Sequence, residues 1–148
     1  MIQATTETSF IIYVQTEDNR IDTSVASTQI RHLIKFTNDL DKSVYYAYGV
    51  TETIKDRYTQ INIHYNVTPD IYTGRTKLFP SGYWKYEVYE VSWTGTVTVS
   101  LGNAPATEDD VLTPVADTKG VVQGLVTKGK MNLSEKDGTE QVQYTQRE

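Results

Sequence analysis

The chain has 148 residues, of which 38% are hydrophobic and 22% charged, and its formal net charge is −5. These values predict one globular domain and exclude a disordered chain. The negative balance offers no basic patch to a phosphate backbone, and no apolar run approaches the roughly 18 residues of a transmembrane helix, so we expect neither nucleic acid nor a membrane as a partner. Cysteine is absent, which excludes disulfides and thiolate-bound metals.

Apolar residues recur with a period of two along the chain, which predicts an all-β fold. The first predicted strand, Phe10–Val14, is apolar on both faces, as in a strand that is buried on two sides or lies in a subunit contact. Ile30–Phe36 and Ser43–Val50 are predicted to form an antiparallel hairpin, because the polar connector between them is rich in turn-forming residues. Every second residue from Ile30, His32 included, is expected to point inward.

Two longer patterns follow the hairpin. Ile61, Ile63, Tyr65 and Val67 alternate with polar residues, which is typical of a half-buried strand. The stretch Gly82–Val91 predicts a long strand. Its expected core face consists of Trp84, Tyr86 and Val88, which should share one core with Ile34, Phe36, Ile61 and Ile63. The remaining predicted strands are Thr96–Ser100, Val121–Leu133 and Gln141–Tyr144.

The stretch Gly102–Gly120 interrupts this pattern, because it contains Pro105, Pro114, the acidic run Glu108–Asp110 and few apolar residues. Such a segment buries too little surface to order itself on a small domain, so we expect an extended loop or arm that orders against a neighbouring subunit. The whole chain, residues 1–148, is predicted to form a single-domain β-sandwich or flattened barrel with extended arms or loops.

The search for reactive groups finds little. The two histidines, His32 and His64, both lie inside predicted strands with no recognisable nucleophile or metal partner, so we interpret them as structural. The acidic segments Glu17–Asp22 and Glu108–Asp110 are interpreted as solvated loops, with a structural calcium ion as the alternative. No nucleotide-binding motif occurs. The sequence therefore predicts no catalytic residue, no cofactor and no metal site.

Tyrosine is unusually abundant, with eleven residues. Tyrosines in alternating strands pack in a core, form protein–protein contacts, or offer a platform to sugar rings. We assign a candidate protein interface to strand tyrosines and to the apolar residues of the acidic loop. These candidates are Tyr45, Tyr83, Tyr89, Val111, Leu112 and Val115.

Three motifs occur in order along the chain: F-T-N-D at Phe36–Asp39, D-R-Y at Asp56–Tyr58 and G-Y-W-K-Y-E-V-Y-E at Gly82–Glu90. With the flanking segment from Ile71, this stretch resembles β-rich virion proteins of tailed bacteriophages, in which the same kinds of strand and hairpin follow one another. The closing segments Gly129–Leu133 and Glu140–Tyr144 are also similar to the ends of such chains.

The resemblance implies a non-enzymatic virion component, assembled in the host cytoplasm in many symmetry-related copies. Its partners would be copies of itself and other virion proteins, in capsid decoration, at the head-to-tail neck, in the tail or at a fibre anchor. The resemblance implies no catalytic residues in this chain. A carbohydrate- or receptor-binding β-sandwich module is the alternative, and it requires exposed aromatic residues lining one concave surface. An enzyme is the third hypothesis.

Overall fold

The computed structural model describes residues 2–16, 20–55, 58–79, 81–112 and 117–135. Its strands are β1 (Ile2–Thr5), β2 (Phe10–Val14), β3 (Ile30–Asn38), β4 (Val44–Tyr48), β5 (Thr51–Ile54), β6 (Thr59–Tyr65), β7 (Arg75–Thr76), β8 (Gly82–Ser92) and β9 (Val121–Ser134). The helices of the described ranges are two short 3-10 helices, Ser27–Gln29 and Ile71–Thr73, and neither could span a membrane. The predicted all-β class is confirmed.

The strands form two sheets. The large sheet has the order β1-β9-β8-β3-β4, in which only β1 and β9 run parallel. The small sheet has the order β2-β6-β5, all antiparallel, and β7 adds to β6 in parallel. The two sheets pack face to face without closing into a barrel, so the architecture is the predicted β-sandwich rather than the flattened barrel.

The core between the sheets is built from alternating residues of both. Ile34, Phe36 and Trp84 of the large sheet are fully buried against Ile61 and Ile63 of the small sheet. The two remaining predicted core residues are Val88, which is fully buried, and Tyr86, which is half-buried and packs against the same cluster. The predicted core is therefore confirmed, because period-two burial on facing strands brings these side chains together. The predicted hairpin is also confirmed, since β3 pairs with β4 in antiparallel register.

A second apolar cluster covers the outer face of the large sheet. It contains Leu33, Tyr48, Val91, Trp93 and Ala104, all buried. Leu33 breaks the alternation expected of a strand with one solvated face, and this cluster explains why. Strand β3, next to the central strand β8, is therefore covered on both faces at Leu33.

The predicted strand Thr96–Ser100 is wrong. This segment is irregular, and Val97 and Val99 are half-buried against the second cluster instead. Alternating threonine and valine favour an extended chain, but a strand also needs a partner with free backbone groups. The segment uses its valines as side-chain contacts to the sheet. In the strand predicted from Ile61, Val67 likewise lies beyond the end of β6 and is exposed.

The described part of Gly102–Gly120 folds over its own large sheet. The Tyr48 hydroxyl donates a hydrogen bond to the Pro105 carbonyl at 2.6 Å, and the Lys35 ammonium lies 2.7 Å from a Glu108 carboxylate oxygen. The expectation that this stretch cannot order on its own domain is therefore wrong. Its few apolar residues are sufficient because the outer face of the sheet provides the rest of the cluster and polar partners.

Replacing Glu108 by alanine is expected to loosen this loop. Glu108 accepts hydrogen bonds from Lys35 and from the Tyr46 hydroxyl, and their loss should cost about 1–2 kcal/mol in local stability. Amide hydrogen exchange of residues 104–110 should then become about tenfold faster. The control is Asp109→Ala, which alters an exposed neighbour. Equal exchange in both variants would show that Glu108 does not hold the loop.

Candidate interaction surface

A buried carboxylate, that of Glu52, links the two sheets. Glu52 of β5, with a side chain 4% exposed, accepts hydrogen bonds at one carboxylate oxygen from the His32 backbone N–H (2.8 Å) and from Nε of Arg31 (3.1 Å). Its other oxygen lies 2.8 Å from Nδ1 of His32. Because a carboxylate is an acceptor only, Nδ1 of His32 is the donor. This contact joins β3 of the large sheet to β5 of the small one.

The charge state of Glu52 follows from these contacts. Burial raises the pKa of the Glu52 carboxyl, but the nearby His32 and Arg31 and their hydrogen bonds outweigh this effect and hold the pKa below its usual value. Within the described chain, no hydroxyl group is hydrogen-bonded to the ring of His32, as a nucleophile activated by a base requires. The other histidine, His64, is exposed on β6. The pair of His32 and Glu52 is arranged as a sheet-to-sheet link.

A second buried carboxylate holds the segment that precedes β3. Glu90 accepts hydrogen bonds from the backbone N–H groups of Ile21 (3.0 Å) and Asp22 (2.7 Å). The Ser92 hydroxyl donates to the Asp22 carboxylate at 2.9 Å. Across the described ranges no group of three or more His, Asp or Glu side chains could hold a metal ion. Residues 17–19 of the predicted acidic loop Glu17–Asp22 lie outside those ranges.

The structure separates the predicted interface tyrosines. Tyr45 lies on the inner face of β4, half-buried, with its ring 5.8 Å from that of Trp84. Tyr89 lies on the outer face of β8, half-buried, and its hydroxyl donates to Glu87 at 3.0 Å. Tyr83, at the start of β8, is 58% exposed. These three side chains therefore do not form one surface.

The predicted apolar interface residues lie on the loop that covers the large sheet. Val111 is 80% exposed, and Leu112 is half-buried. Both line a cavity of about 320 Å³ between the loop and the start of β9, together with Val121 and Val122. Val115 lies outside the described residues, as does the predicted strand Gln141–Tyr144.

One side of the sandwich, formed by an edge strand of each sheet, was not predicted from the sequence pattern. β2 is an edge strand of the small sheet, and β1, its neighbour along the chain, is an edge strand of the large sheet. The turn between them places both edges on the same side of the sandwich. We call this the open side. On the opposite side, the 3-10 helix Ile71–Thr73 and β7 cover the β4 edge of the large sheet, and β5 is the edge strand of the small sheet. There Gly74 approaches so closely that an added Cβ would lie 2.4 Å from the Val50 nitrogen.

The outward face of β2 is apolar and exposed. Ile12 and Val14 point into the core, whereas Ile11 and Tyr13 are 42% and 56% exposed. Phe10–Val14 was expected to be buried on two sides or to lie in a subunit contact. Within the single chain only one of its faces is buried, so a contact with another molecule is the arrangement that would cover the second.

The backbone of β2 also has a free side. On β6, the N–H of Tyr65 is bonded to the Ser9 hydroxyl on the β2 side (3.1 Å), whereas the N–H of His64 is bonded to the Gly74 carbonyl on the opposite side (2.8 Å). Since backbone groups alternate in direction along a strand, the odd-numbered residues of β6 face β2.

The register then determines which groups of β2 remain free. Ile12 pairs with Ile61, so its N–H and C=O point toward β6. The backbone groups of Ile11 and Tyr13 therefore point to the free edge, and no hydrogen bond is recorded for them within the described residues.

The exposed rings near β2 do not make a sugar platform. Tyr13 and Tyr58 are in edge-to-face contact, with ring centroids 5.4 Å apart and ring planes inclined at 70°. Only one of the two can present its face to a flat ligand. Among the residues that the structure describes, the third exposed tyrosine ring, Tyr83, belongs to the other sheet. The geometry therefore favours a protein contact at this edge over the carbohydrate alternative.

Comparison of the chain with models of protein families, with curated proteins and with solved structures gives no match. The feature with the clearest chemical consequence is the free, uncharged edge of β2.

Proposed function

We propose that this chain is a non-enzymatic structural component of a tailed-bacteriophage virion, and that it binds neighbouring proteins through its open side. The observation that carries the proposal is the edge strand β2, Phe10–Val14, with five consecutive apolar residues and the free backbone groups of Ile11 and Tyr13. An unpaired edge of this kind is a template for pairing with another chain.

Proteins that keep such an edge unpaired protect it with lysine, proline, a bulge or a covering segment. β2 contains no charged residue and no proline, and its register against β6 is regular over all five positions. On the opposite side of the sandwich, the β4 edge is covered by the chain's own segments, and the β5 edge strand contains the charged Glu52. The contrast supports a role for the open side in binding.

The motifs that resemble phage virion proteins support the first half of the proposal, the role in a virion. Gly82–Glu90 forms most of β8, which lies between β9 and β3 in the large sheet, and Phe36–Asp39 includes the end of β3. These motifs build the scaffold and leave the edges available for contacts. A symmetric particle repeats each such contact in every copy, so a short edge contributes many times.

Changing Ile11 and Tyr13 together to lysine should abolish incorporation of the chain into virions. Both side chains point away from the core, so the domain should fold, but the edge would carry charges that oppose strand pairing. We expect the copy number of the chain in purified particles, measured by quantitative mass spectrometry, to fall at least about tenfold, the effect of roughly 1.4 kcal/mol lost per contact.

The matched control is Leu40→Lys, which adds charge at an exposed turn between β3 and β4, away from the open side. This variant should incorporate at the unaltered level. Absence of the unaltered chain from particles would contradict the virion role. Full incorporation of the double lysine variant would contradict the role of the open side.

A further inference from the structure

We infer that the partner of the β2 edge is a second copy of β2, paired antiparallel about a twofold axis that passes beside Ile12. The inference rests on the proposed function, because it names the occupant of the same edge. It is carried by three properties of the strand: its self-complementary side chains, the direction of its free backbone groups, and the lack of charge along the open side.

The side chains of Phe10–Val14 match themselves when the strand is reversed. With Ile12 opposite its own counterpart, Ile11 lies opposite Tyr13 of the partner subunit, and Phe10 lies opposite the partner's Val14. All five positions then face an apolar residue. Aromatic and β-branched residues in direct opposition are among the favourable cross-strand pairs. A shift of two residues leaves only three such positions, since Ser9 or Gln15 enters the pairing.

The free backbone groups match in the same register and exclude a shift by one residue. Ile11 and Tyr13 direct their N–H and C=O groups to the free edge, so each must face an outward-directed residue of the partner. Pairing about Ile12 places Ile11 opposite Tyr13 in both halves of the dimer, and these residues exchange hydrogen bonds. A shift by one residue would set outward groups against inward ones and form no ladder.

The electrostatics of the open side permit close approach of two identical chains. The chain carries a net charge of −5, which opposes self-association in general. Across the described stretch of residues 2–16, however, the single charged residue is Glu7. Because a twofold axis normal to the sheets sets β1 beside its own copy as well, an uncharged edge in both sheets removes like-charge repulsion from the contact.

The absence of cysteine makes the register directly testable. Ile11→Cys and Tyr13→Cys are purified as separate full-length variants, one carrying a mass label, and are oxidised alone and as a mixture. Direct opposition brings the two positions within about 5.5 Å, whereas identical positions lie on a diagonal of about 7–8 Å. A disulfide requires close Cβ atoms. We expect the mixed disulfide to form about tenfold faster than either homodimer.

A faster homodimer of Ile11→Cys would indicate another register or a parallel pair and would overturn the inference. Absence of any disulfide, with particle incorporation still lost in the double lysine variant, would mean that another protein occupies the edge. The proposed function would then stand and the inference would fail. Conversely, a rapid mixed disulfide in a chain that is absent from particles would support the pairing and contradict the virion role.

A charge test checks the same pairing without cysteine. A chain with Ile11→Lys and Tyr13→Glu sets opposite charges across each pair, whereas Ile11→Lys with Tyr13→Lys sets like charges there. Sedimentation velocity over a concentration series should show dimers for the unaltered chain and the opposite-charge variant, and at least about tenfold weaker dimerisation for the like-charge variant. Equal behaviour of the two variants would overturn the inference.

Discussion

Replacing Trp84 by alanine is expected to lower the free energy of unfolding by about 3–5 kcal/mol, the range for removal of a fully buried aromatic side chain. Trp84 has no exposed surface, lies on the inner face of β8, and packs beside the ring of Tyr45. The surrounding strands are held by pairing on both sides of β8, so the cavity cannot close by simple collapse. Denaturant unfolding monitored by circular dichroism measures the change.

The control for this prediction is the adjacent residue of the same strand. Tyr83→Ala removes an aromatic ring that is 58% exposed, so its effect should stay below about 1 kcal/mol. If both variants lost a similar free energy of unfolding, the assignment of Trp84 to the inner face and Tyr83 to the outer face of β8 would be contradicted.

Replacing Glu52 by alanine should cost a similar amount, about 3–5 kcal/mol, because it removes one partner of a buried charged network. His32, which is also buried, would lose the acceptor of both its ring Nδ1 and its backbone N–H. The Arg31 guanidinium would keep its hydrogen bond to the Gly49 carbonyl but lose the carboxylate. Thermal and denaturant unfolding of the full chain measure the loss.

An exposed ion pair provides the comparison. Lys130, with a side chain 51% exposed, lies 2.7 Å from the Asp39 carboxylate. Such surface pairs contribute about 0–1 kcal/mol, so Lys130→Ala should have little effect. A loss for Lys130→Ala as large as that for Glu52→Ala would contradict the assignment of the sheet-to-sheet link.

The same carboxylate predicts a pH dependence. The pKa of Glu52 is lower in the folded protein than in the unfolded chain, where a glutamate titrates at about 4.3. The unfolded state therefore takes up the proton first, and this contribution to stability is present above that value and lost as the pH falls through the folded pKa. Glu52→Gln should reduce the slope of stability against pH in this acidic range. An unaltered slope would show that Glu52 is not the group responsible.

The sequence alone determined the longer strands and the main core. Alternation along Gly82–Val91 and the pattern beginning at Ile61 identified which side chains point inward, because a strand turns successive residues to opposite faces whatever its neighbours are. The turn-rich connector after Phe36 identified the β3–β4 hairpin, since both partners are close in sequence and a short connection restricts how they can pair.

The tertiary structure alone decided which contacts form between distant segments. Thr96–Ser100 has the composition of a strand but crosses the outer face of the large sheet, and the predicted arm after Gly102 packs on that same face. The local spacing of apolar residues predicts neither contact. Both depend on an apolar sheet face that forms only when β3, β8 and β4 have paired.

The contact between Glu52 and His32 was also decided by the tertiary structure alone, and so was the open side. A glutamate in a short polar strand and a histidine twenty positions earlier carry no mutual signal in the sequence. Likewise, the apolar strand Phe10–Val14 has the same pattern at the centre of a sheet as at its edge. Only the strand order places β2 last in its sheet, and an unpaired backbone edge is a property of that order rather than of any residue.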